Sequence, residues 1–250
     1  MSVMGKFVEG RVVGVKQWTD RLFSIMVDAP VEPWQAGQFG KLALEIGGEA
    51  VGRPYSYVNA PHERPLEFYY ITVEGGPLTE RLSRLRPGDV VYLAPKAAGF
   101  LVLAELPQAE NLWLLSTGTA LGPFLAILKT AEPWQRFKDL VLVHAVRHAA
   151  ELTYRDQIDR LLAEHAGQLR YVPFVSREPA ACALQGRVPD AIRNGSLAAR
   201  AGVELSPAKS QVMICGNPDM VKDTTETLIG LGFRKNKRKE PGHITVENYW

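Results

Sequence analysis

The chain contains little cysteine and no long uninterrupted hydrophobic run. Its 250 residues include two cysteines, Cys182 and Cys215, which lie far apart and form no CxxC pair. They exclude a disulfide framework, and within one chain they cannot complete a zinc or cysteinyl iron–sulfur site. The longest apolar stretch, Leu112–Leu128, is interrupted by serine, threonine, glycine and proline and is therefore not a membrane span. Because the first residues hold no signal-peptide core, we expect a reduced, soluble, cytoplasmic protein with no membrane partner.

An excess of either charge is also lacking. The chain carries 29 Lys and Arg against 27 Asp and Glu, a net charge of +2, and 46% of its residues are hydrophobic. This is ordinary globular composition, which excludes collagen-like and disordered classes. Five basic residues fall within Arg234–Lys239, so the rest of the chain is slightly acidic. A compact basic spot favours docking of one acidic partner over nucleic-acid binding.

The first hundred residues are rich in short strands separated by turns. Alternating or β-branched runs predict strands at Val8–Lys16, Leu22–Val27, Phe39–Ile46, Phe68–Val73 and Val90–Ala94. Such spacing indicates a closed antiparallel barrel. One helical insert is predicted at Leu78–Leu85, with an N-cap near Thr79.

From about Asn111 the pattern changes to strand, glycine turn and helix. Apolar runs predict strands at Leu112–Leu115, Leu140–His144, Leu169–Val175 and Gln211–Cys215, with helices at Gly122–Thr130, at Tyr154–His165 and after Asn217. Continuous apolar strands that alternate with amphipathic helices indicate a doubly wound α/β parallel sheet. Ligands of such sheets lie at the carboxyl ends of the strands, so we expect one crevice lined by 116–119, 144–147, 176–177 and 215–217.

Three short motifs have the chemistry of nucleotide binding. Arg53-Pro54-Tyr55-Ser56 combines a guanidinium, a flat ring and a hydroxyl, which suits a flat heteroaromatic attached to a phosphate. The glycine turns within 116–123 and 74–79 each precede a predicted helix, where backbone N–H groups can bind phosphate. Each motif also fits a plain structural turn, because none matches GxGxxG or GK[ST].

Arginines follow several of the predicted strand ends. Arg147, Arg177 and Arg187 suit a dinucleotide that carries a 2′-phosphate, whereas NAD is usually bound through an acidic residue. Each of them could instead be an ordinary surface charge. His144 and His148 are four residues apart, but His144 ends a predicted strand, so no metal site is expected.

Together these motifs resemble a known family. Arg53-Pro54-Tyr55-Ser56, Thr117-Gly118-Thr119-Ala120, Cys215-Gly216-Asn217-Pro218 and the final Tyr249-Trp250 occur in the same order in ferredoxin/flavodoxin–NADP⁺ reductases of the bacterial branch that ends in Tyr-Trp. The resemblance covers the chain from about Val8 onwards. It implies an FAD-binding barrel over residues 1–101. It also implies an NADP-binding α/β domain over 102–250, whose C-terminal tail returns to the flavin.

The resemblance also implies roles for individual residues. Those implied to bind FAD are Arg53, Pro54, Tyr55, Ser56, Tyr69, Tyr70, Ile71, Thr72, Pro77, Leu78, Thr79, Thr119 and Trp250. Those implied to bind NADP are Arg147, Ser176, Arg177 and Arg187. Those implied at the reacting centre, where hydride passes between nicotinamide C4 and flavin N5, are Ser56, Cys215, Glu247 and Tyr249.

The family's physiological partner is a one-electron carrier, ferredoxin or flavodoxin. The basic residues Arg234, Lys235, Lys237, Arg238 and Lys239 are the predicted docking patch for it, in a protein expected to be a monomer. Three alternatives remain: a reductase that feeds an oxygenase, a non-catalytic flavin-holding subunit, and a nucleic-acid-binding protein that uses the basic run.

Overall fold

The computed structural model describes residues 4–248, which form two six-stranded sheets. The first sheet is antiparallel, with strand order β4-β3-β6-β1-β2-β5. Its strands are β1 Val8–Gln17, β2 Leu22–Asp28, β3 Phe39–Ile46, β4 Glu49–Ser56, β5 Leu66–Ile71 and β6 Val90–Leu93. Apolar side chains from these strands, including Val12, Ile25, Leu42 and Phe68, form one buried core.

The antiparallel sheet is barrel-like as predicted, but the predicted closure of the barrel is wrong. The edge strands β4 and β5 meet only through an isolated bridge between Tyr57 and Phe68. Beyond that bridge a side chain takes the place of backbone-to-backbone hydrogen bonds, since Asn59 Oδ1 accepts from the Glu67 N–H at 2.9 Å. The sheet is therefore barrel-like, with an opening between β4 and β5.

The second sheet is entirely parallel, with strand order β10-β9-β8-β7-β11-β12. Its strands are β7 Asn111–Thr117, β8 Asp139–Val146, β9 Leu169–Val175, β10 Leu184–Gln185, β11 Ser210–Gly216 and β12 Ile244–Asn248. Side chains of β7 alternate between two cores: Leu112 and Leu114 belong to one, Trp113 and Leu115 to the other. Both faces are covered, as a strand that is apolar throughout requires.

Helices and short turns connect the strands. They are α1 Thr79–Leu82, α2 Leu121–Leu128, α3 Glu132–Arg136, α4 Arg155–Glu164, α5 Val188–Arg193, α6 Ser196–Ala201 and α7 Pro218–Gly230. Asn217 caps α7 as predicted, because its Oδ1 accepts from the N–H groups of Asp219 and Met220. Within 4–248 no helix is long and apolar enough to cross a membrane.

Strand order reverses between β7 and β11, and the carboxyl ends of these two strands lie side by side. Gly216 ends β11 with φ +149°, and a Cβ at this position would collide with Thr117 Oγ1 at the end of β7. Only glycine therefore allows this close approach. The reversal creates the crevice at which doubly wound sheets bind ligands.

Several predicted boundaries are corrected. The motif that begins at Arg53 lies inside β4, a strand that the sequence did not predict. The strand predicted at Phe68–Val73 runs from Leu66 to Ile71, and the helix predicted at Leu78–Leu85 is reduced to α1. Strand β4 escaped prediction because Gly52 and Pro54 interrupt its pattern. The predictions for β3 and β9 match the observed ranges.

Candidate functional site

Two cavities open on the described part of the chain. The first, which we call the barrel cavity, has a volume of about 460 Å³ and lies where the edge strands β4 and β5 face the end of β12. It is lined by Phe39, Arg53, Pro54, Tyr55, Ser56, Tyr69, Tyr70, Ile71, Val73, Gly76, Pro77, Leu78, Thr79, Thr119, Glu247 and Asn248.

Aromatic rings form the walls of the barrel cavity. Tyr55 on β4 and Tyr70 on β5 approach each other edge to face, with ring centroids 6.0 Å apart. Burial raises the pKa of Tyr55 to about 12 and that of Tyr70 further. Both phenols therefore stay neutral, and the cavity offers flat, uncharged surfaces of the kind that suits a planar ring system.

Three polar atoms in the walls are buried without a hydrogen-bond partner among residues 4–248. They are Ser56 Oγ, the Tyr70 hydroxyl and Glu247 Oε2. Buried polar groups are almost always hydrogen-bonded, so three unsatisfied atoms in one cavity indicate a polar ligand. Burial raises the pKa of Glu247 to about 7, although a hydrogen bond from the Phe100 backbone opposes this. Its carboxyl can therefore hold or release a proton near neutral pH.

The turn that links β5 to α1 closes one end of the barrel cavity. The Gly76 N–H donates to Val73 O at 2.8 Å, and the Val73 N–H donates to Thr79 Oγ1 at 3.0 Å. A Cβ on Gly76 would lie only 2.8 Å from Val73 O, so this compact turn requires glycine. Arg53 adds an exposed guanidinium, which forms no ion pair with any described carboxylate.

The second cavity, which we call the switch cleft, follows the carboxyl ends of the parallel strands and has a volume of about 580 Å³. It is lined by Arg21, Leu22, Ile71, Val73, Thr117, Gly118, Thr119, Ala145, Val146, Arg147, Glu151, Ser176, Gly186, Arg187, Val188, Pro189, Gly216, Asn217, Asp219 and Met220. The crevice predicted from the sequence is thereby confirmed, except that Ser116, His144, Arg177 and Cys215 are not part of its lining.

Cations dominate one side of the switch cleft. Arg187 Nη2 lies 2.8 Å from Asp223 Oδ2, whereas the Arg147 side chain is exposed, with no ion pair among the described carboxylates. The Glu151 carboxylate binds backbone groups and forms no ion pair with these arginines, because its Oε2 accepts from the backbone N–H groups of Arg147 and His148 at 2.9 and 3.1 Å. The cleft can therefore accept an anionic ligand.

The two cavities share Ile71, Val73 and Thr119. Thr119 is buried within the 3₁₀ turn Gly118–Ala120 that follows β7. A ligand in the switch cleft can therefore reach a ligand in the barrel cavity without crossing a wall of protein. The arrangement suits a reaction between two bound molecules.

Most predicted site residues line one of these cavities. All of the predicted FAD residues within 4–248 line the barrel cavity except Thr72, while Arg147, Ser176 and Arg187 line the switch cleft and Arg177 does not. Tyr249 and Trp250 lie outside the described residues. Sequence reasoning missed Phe39, Asn248 and Arg21, because no motif marks any of them.

Cys215 is not part of the lining of either cavity. It is fully buried on β11, in register with Ser116 on β7 and Glu247 on β12. Burial raises the pKa of its thiol well above the usual range, and the Glu247 charge acts in the same direction. The thiol therefore stays neutral, on the strand next to Glu247.

The predicted docking patch is exposed and partly paired. Lys237 Nζ lies 3.1 Å from Glu240 Oε2, and Arg238 Nε lies 3.9 Å from Glu105 Oε1. The Arg238 guanidinium also covers the Phe100 ring at 5.5 Å. The Phe100 backbone in turn hydrogen-bonds Glu247, which lines the barrel cavity. Phe100 and Glu247 therefore link the patch to the barrel cavity.

Comparison with known proteins gives consistent relatives. The family described as oxidoreductase NAD-binding domain matches residues 114–226. A flavodoxin/ferredoxin–NADP reductase of Escherichia coli K12 is 50% identical over 99% of this chain and 100% of its own length. A ferredoxin–NADP reductase of Pseudomonas aeruginosa is 37% identical over 98% of each chain.

A solved structure shares the whole architecture. The crystal structure of a ferredoxin NADP⁺ reductase from Neisseria gonorrhoeae, with bound FAD and NADP, is similar with a TM-score of 0.93 and 34% identity. The similarity covers 98% of this chain and 100% of that one. Both sheets thus have a counterpart in that structure.

Proposed function

This chain belongs to the flavodoxin/ferredoxin–NADP reductase family, and from that premise we propose how its residues divide the work. It is an oxidoreductase that uses FAD and transfers electrons between NADP(H) and ferredoxin or flavodoxin. The single observation that carries the division is the pair of cavities that share Thr119. We assign residues 1–101 to FAD and 102–250 to NADP.

The barrel cavity fits FAD on three observations. It has flat aromatic walls at Tyr55 and Tyr70, an unsatisfied buried hydroxyl at Ser56, and the compact turn of Gly76 next to an unpaired Arg53. When bound, FAD supplies the hydride and single-electron chemistry that no side chain has. The protein's part is to bind and orient it.

Individual roles follow from chemistry and position. The ring system would be contacted by Tyr55, Tyr69, Tyr70 and Ile71. The Ser56 hydroxyl would donate a hydrogen bond to a ring nitrogen. Arg53 and the turn with Pro77, Leu78 and Thr79 would hold the diphosphate. Thr72, Pro54 and Thr119 would complete the site. Tyr249 and Trp250 follow directly on Asn248, a cavity residue, which supports their assignment to the flavin.

Glu247 and Cys215 would act where the two ligands meet. The Glu247 carboxyl, with a pKa near 7, can exchange a proton at Oε2 inside the barrel cavity. Cys215, in register with Glu247 on the neighbouring strand, would keep this wall apolar and exclude water. Glu247 would adjoin the reacting end of the nicotinamide, and Cys215, which lines neither cavity, would act through Glu247.

The switch cleft would hold NADP(H). Arg147, Ser176 and Arg187 line it, and Arg177 follows Ser176 at the end of β9. Guanidinium groups bind phosphate dianions through charge-assisted hydrogen bonds, so Arg177 and Arg187 would select the 2′-phosphate, and Arg147 and Ser176 would bind other parts of NADP(H).

We further propose that the basic patch of Arg234, Lys235, Lys237, Arg238 and Lys239 docks the acidic ferredoxin or flavodoxin. Its link through Phe100 to the barrel cavity supports this. We also propose a monomer in the cytoplasm, which gel filtration and cell fractionation would check.

The first experiment is the visible spectrum of the purified protein, followed by anaerobic addition of NADPH and of NADH in separate samples. We expect two flavin absorption bands that bleach with NADPH and bleach poorly with NADH. A colourless protein that takes up no added FAD would overturn the proposal. Equal bleaching by both nucleotides would refute the assignment of the arginines to a 2′-phosphate.

A further inference from the structure

Arg21 lies in a turn whose conformation is fixed by side-chain hydrogen bonds. The turn joins β1 to β2, and Thr19 Oγ1 accepts from the N–H groups of Arg21 at 3.3 Å and of Leu22 at 3.1 Å. The Trp18 N–H donates to Leu22 O at 2.8 Å and closes the turn. The backbone that carries Arg21 is therefore well determined.

Arg21 is also attached to the residue that follows β5. The Thr72 N–H donates to Arg21 O at 2.8 Å, and Thr72 Oγ1 donates to the same oxygen at 3.3 Å. In return, Arg21 Nη2 donates to Thr72 O at 3.2 Å. Both the backbone and the guanidinium are thus held beside Ile71 and Val73, which the two cavities share.

The charge of Arg21 has no carboxylate to neutralise it among residues 4–248. A guanidinium has five N–H donors, and the bond to Thr72 O uses one of them. Arg187, on the far side of the switch cleft, is paired with Asp223. Each guanidinium uses one donor in these contacts, but only the charge of Arg187 is neutralised by a carboxylate among the described residues.

Unpaired guanidinium groups line the switch cleft from both sheets. Arg21 belongs to the antiparallel sheet, and Arg147 follows β8 of the parallel sheet. Two exposed guanidinium groups that line one cavity favour an anionic ligand there. Arg21 stands at the end that adjoins the barrel cavity, whereas Ser176 and Arg187 follow other strands of the parallel sheet. We therefore expect Arg21 to meet a different anionic group of the ligand from the 2′-phosphate assigned to Arg177 and Arg187.

We propose that Arg21 binds the diphosphate of NADP(H) and so contributes a ligand from the antiparallel sheet to the switch cleft. This inference rests on the proposed function, because it takes NADP(H) as the occupant of the cleft. Arg21 then adds affinity for the dinucleotide without recognising the 2′-phosphate. The bound nucleotide would then contact residues of both sheets.

The test compares Arg21→Gln with wild type, both loaded with FAD, by calorimetric titration with NADP⁺ and with adenosine 2′-monophosphate. We expect the Kd for NADP⁺ to rise about tenfold, the factor expected for loss of a charge-assisted hydrogen bond. The Kd for adenosine 2′-monophosphate, which lacks the diphosphate, should stay unchanged. Arg21→Lys should recover part of the affinity for NADP⁺.

Arg11→Gln is the matched control, because Arg11 is an exposed arginine on β1 that bonds Glu9 at 2.6 Å and does not line the cleft. It should bind both ligands as wild type does. An unchanged Kd for NADP⁺ in Arg21→Gln overturns the inference, as does equal weakening of both ligands or a loss of bound FAD. Wild type that binds no NADP⁺ overturns the proposed function itself, which separates the two failures.

Discussion

Replacement of Glu247 by glutamine should change how the stability of the protein depends on pH. In the folded chain burial raises the pKa of this carboxyl from 4.5 to about 7. Below pH 4.5 the group is protonated in both folded and unfolded chains, and it contributes no difference. Between pH 4.5 and 7 the unfolded chain releases the proton while the folded chain retains it, so the free energy of unfolding falls.

The size of the effect follows from the two pKa values. One pKa unit corresponds to about 1.4 kcal/mol, so the ionised carboxyl destabilises the folded protein by at most about 3 kcal/mol above pH 7. Glutamine has nearly the same shape and cannot ionise. The variant should therefore gain this amount relative to wild type as the pH rises from 4.5 to 7. Bound flavin would remove still more water from the carboxyl, so the sign holds for the loaded protein as well.

The assay is urea unfolding of both proteins at fixed pH steps from 4.5 to 8, followed by tryptophan fluorescence. The difference between the two free energies of unfolding cancels the contributions of other titrating groups. Glu226→Gln, which removes an exposed carboxylate from α7, controls for the loss of a charge as such. Parallel curves for wild type and Glu247→Gln would refute the claim that burial governs this carboxyl.

Three further predictions concern nucleotide preference, partner docking and thiol reactivity. Arg177→Ala should lower the ratio of kcat/KM for NADPH to that for NADH, because a phosphate dianion loses its counter-charge; an unchanged ratio would place the 2′-phosphate elsewhere. Replacement of the basic patch by glutamines should slow reduction of ferredoxin or flavodoxin at low salt, yet leave ferricyanide reduction by NADPH intact; equal loss in both assays would disprove a docking role. A chromogenic disulfide reagent should react quickly with exposed Cys182 and slowly with buried Cys215, whose pKa is raised, until urea is added; two fast thiols would contradict the fold at β11.

The sequence predicts elements well where the hydrophobic pattern is strong. Phe39–Ile46 alternates, and Leu169–Val175 is apolar except for Arg170, so both strands were predicted with their observed ends. Strand β4 contains Gly52 and Pro54, and only Ser56 in it is buried, so it has no periodic signal. Strand β12 is short and ends in polar residues; its place beside β11 depends on pairing that distant parts of the chain supply.

Residues of the candidate site, too, could be predicted only where the sequence carries a local signal. The motif at Arg53 and the turn at Gly118 could be recognised because adjacent residues carry the chemistry. Arg21 could not, because its position in the switch cleft depends on hydrogen bonds to Thr72, fifty-one residues away. The raised pKa of Glu247 is likewise invisible in the sequence, since burial by other strands causes it.

The barrel cavity draws its walls from opposite ends of the chain, and this has a consequence for biosynthesis. Arg53 and Ser56 emerge from the ribosome early. Glu247 and Asn248 lie on β12 and emerge only after all other strands of both sheets have been synthesised. Contacts between such distant segments form late, because a long loop must close first. The nascent antiparallel sheet therefore lacks one wall of its cavity. Cofactor capture then follows assembly of the parallel sheet, and a shortage of FAD limits the lifetime of the finished protein rather than the early steps of its folding.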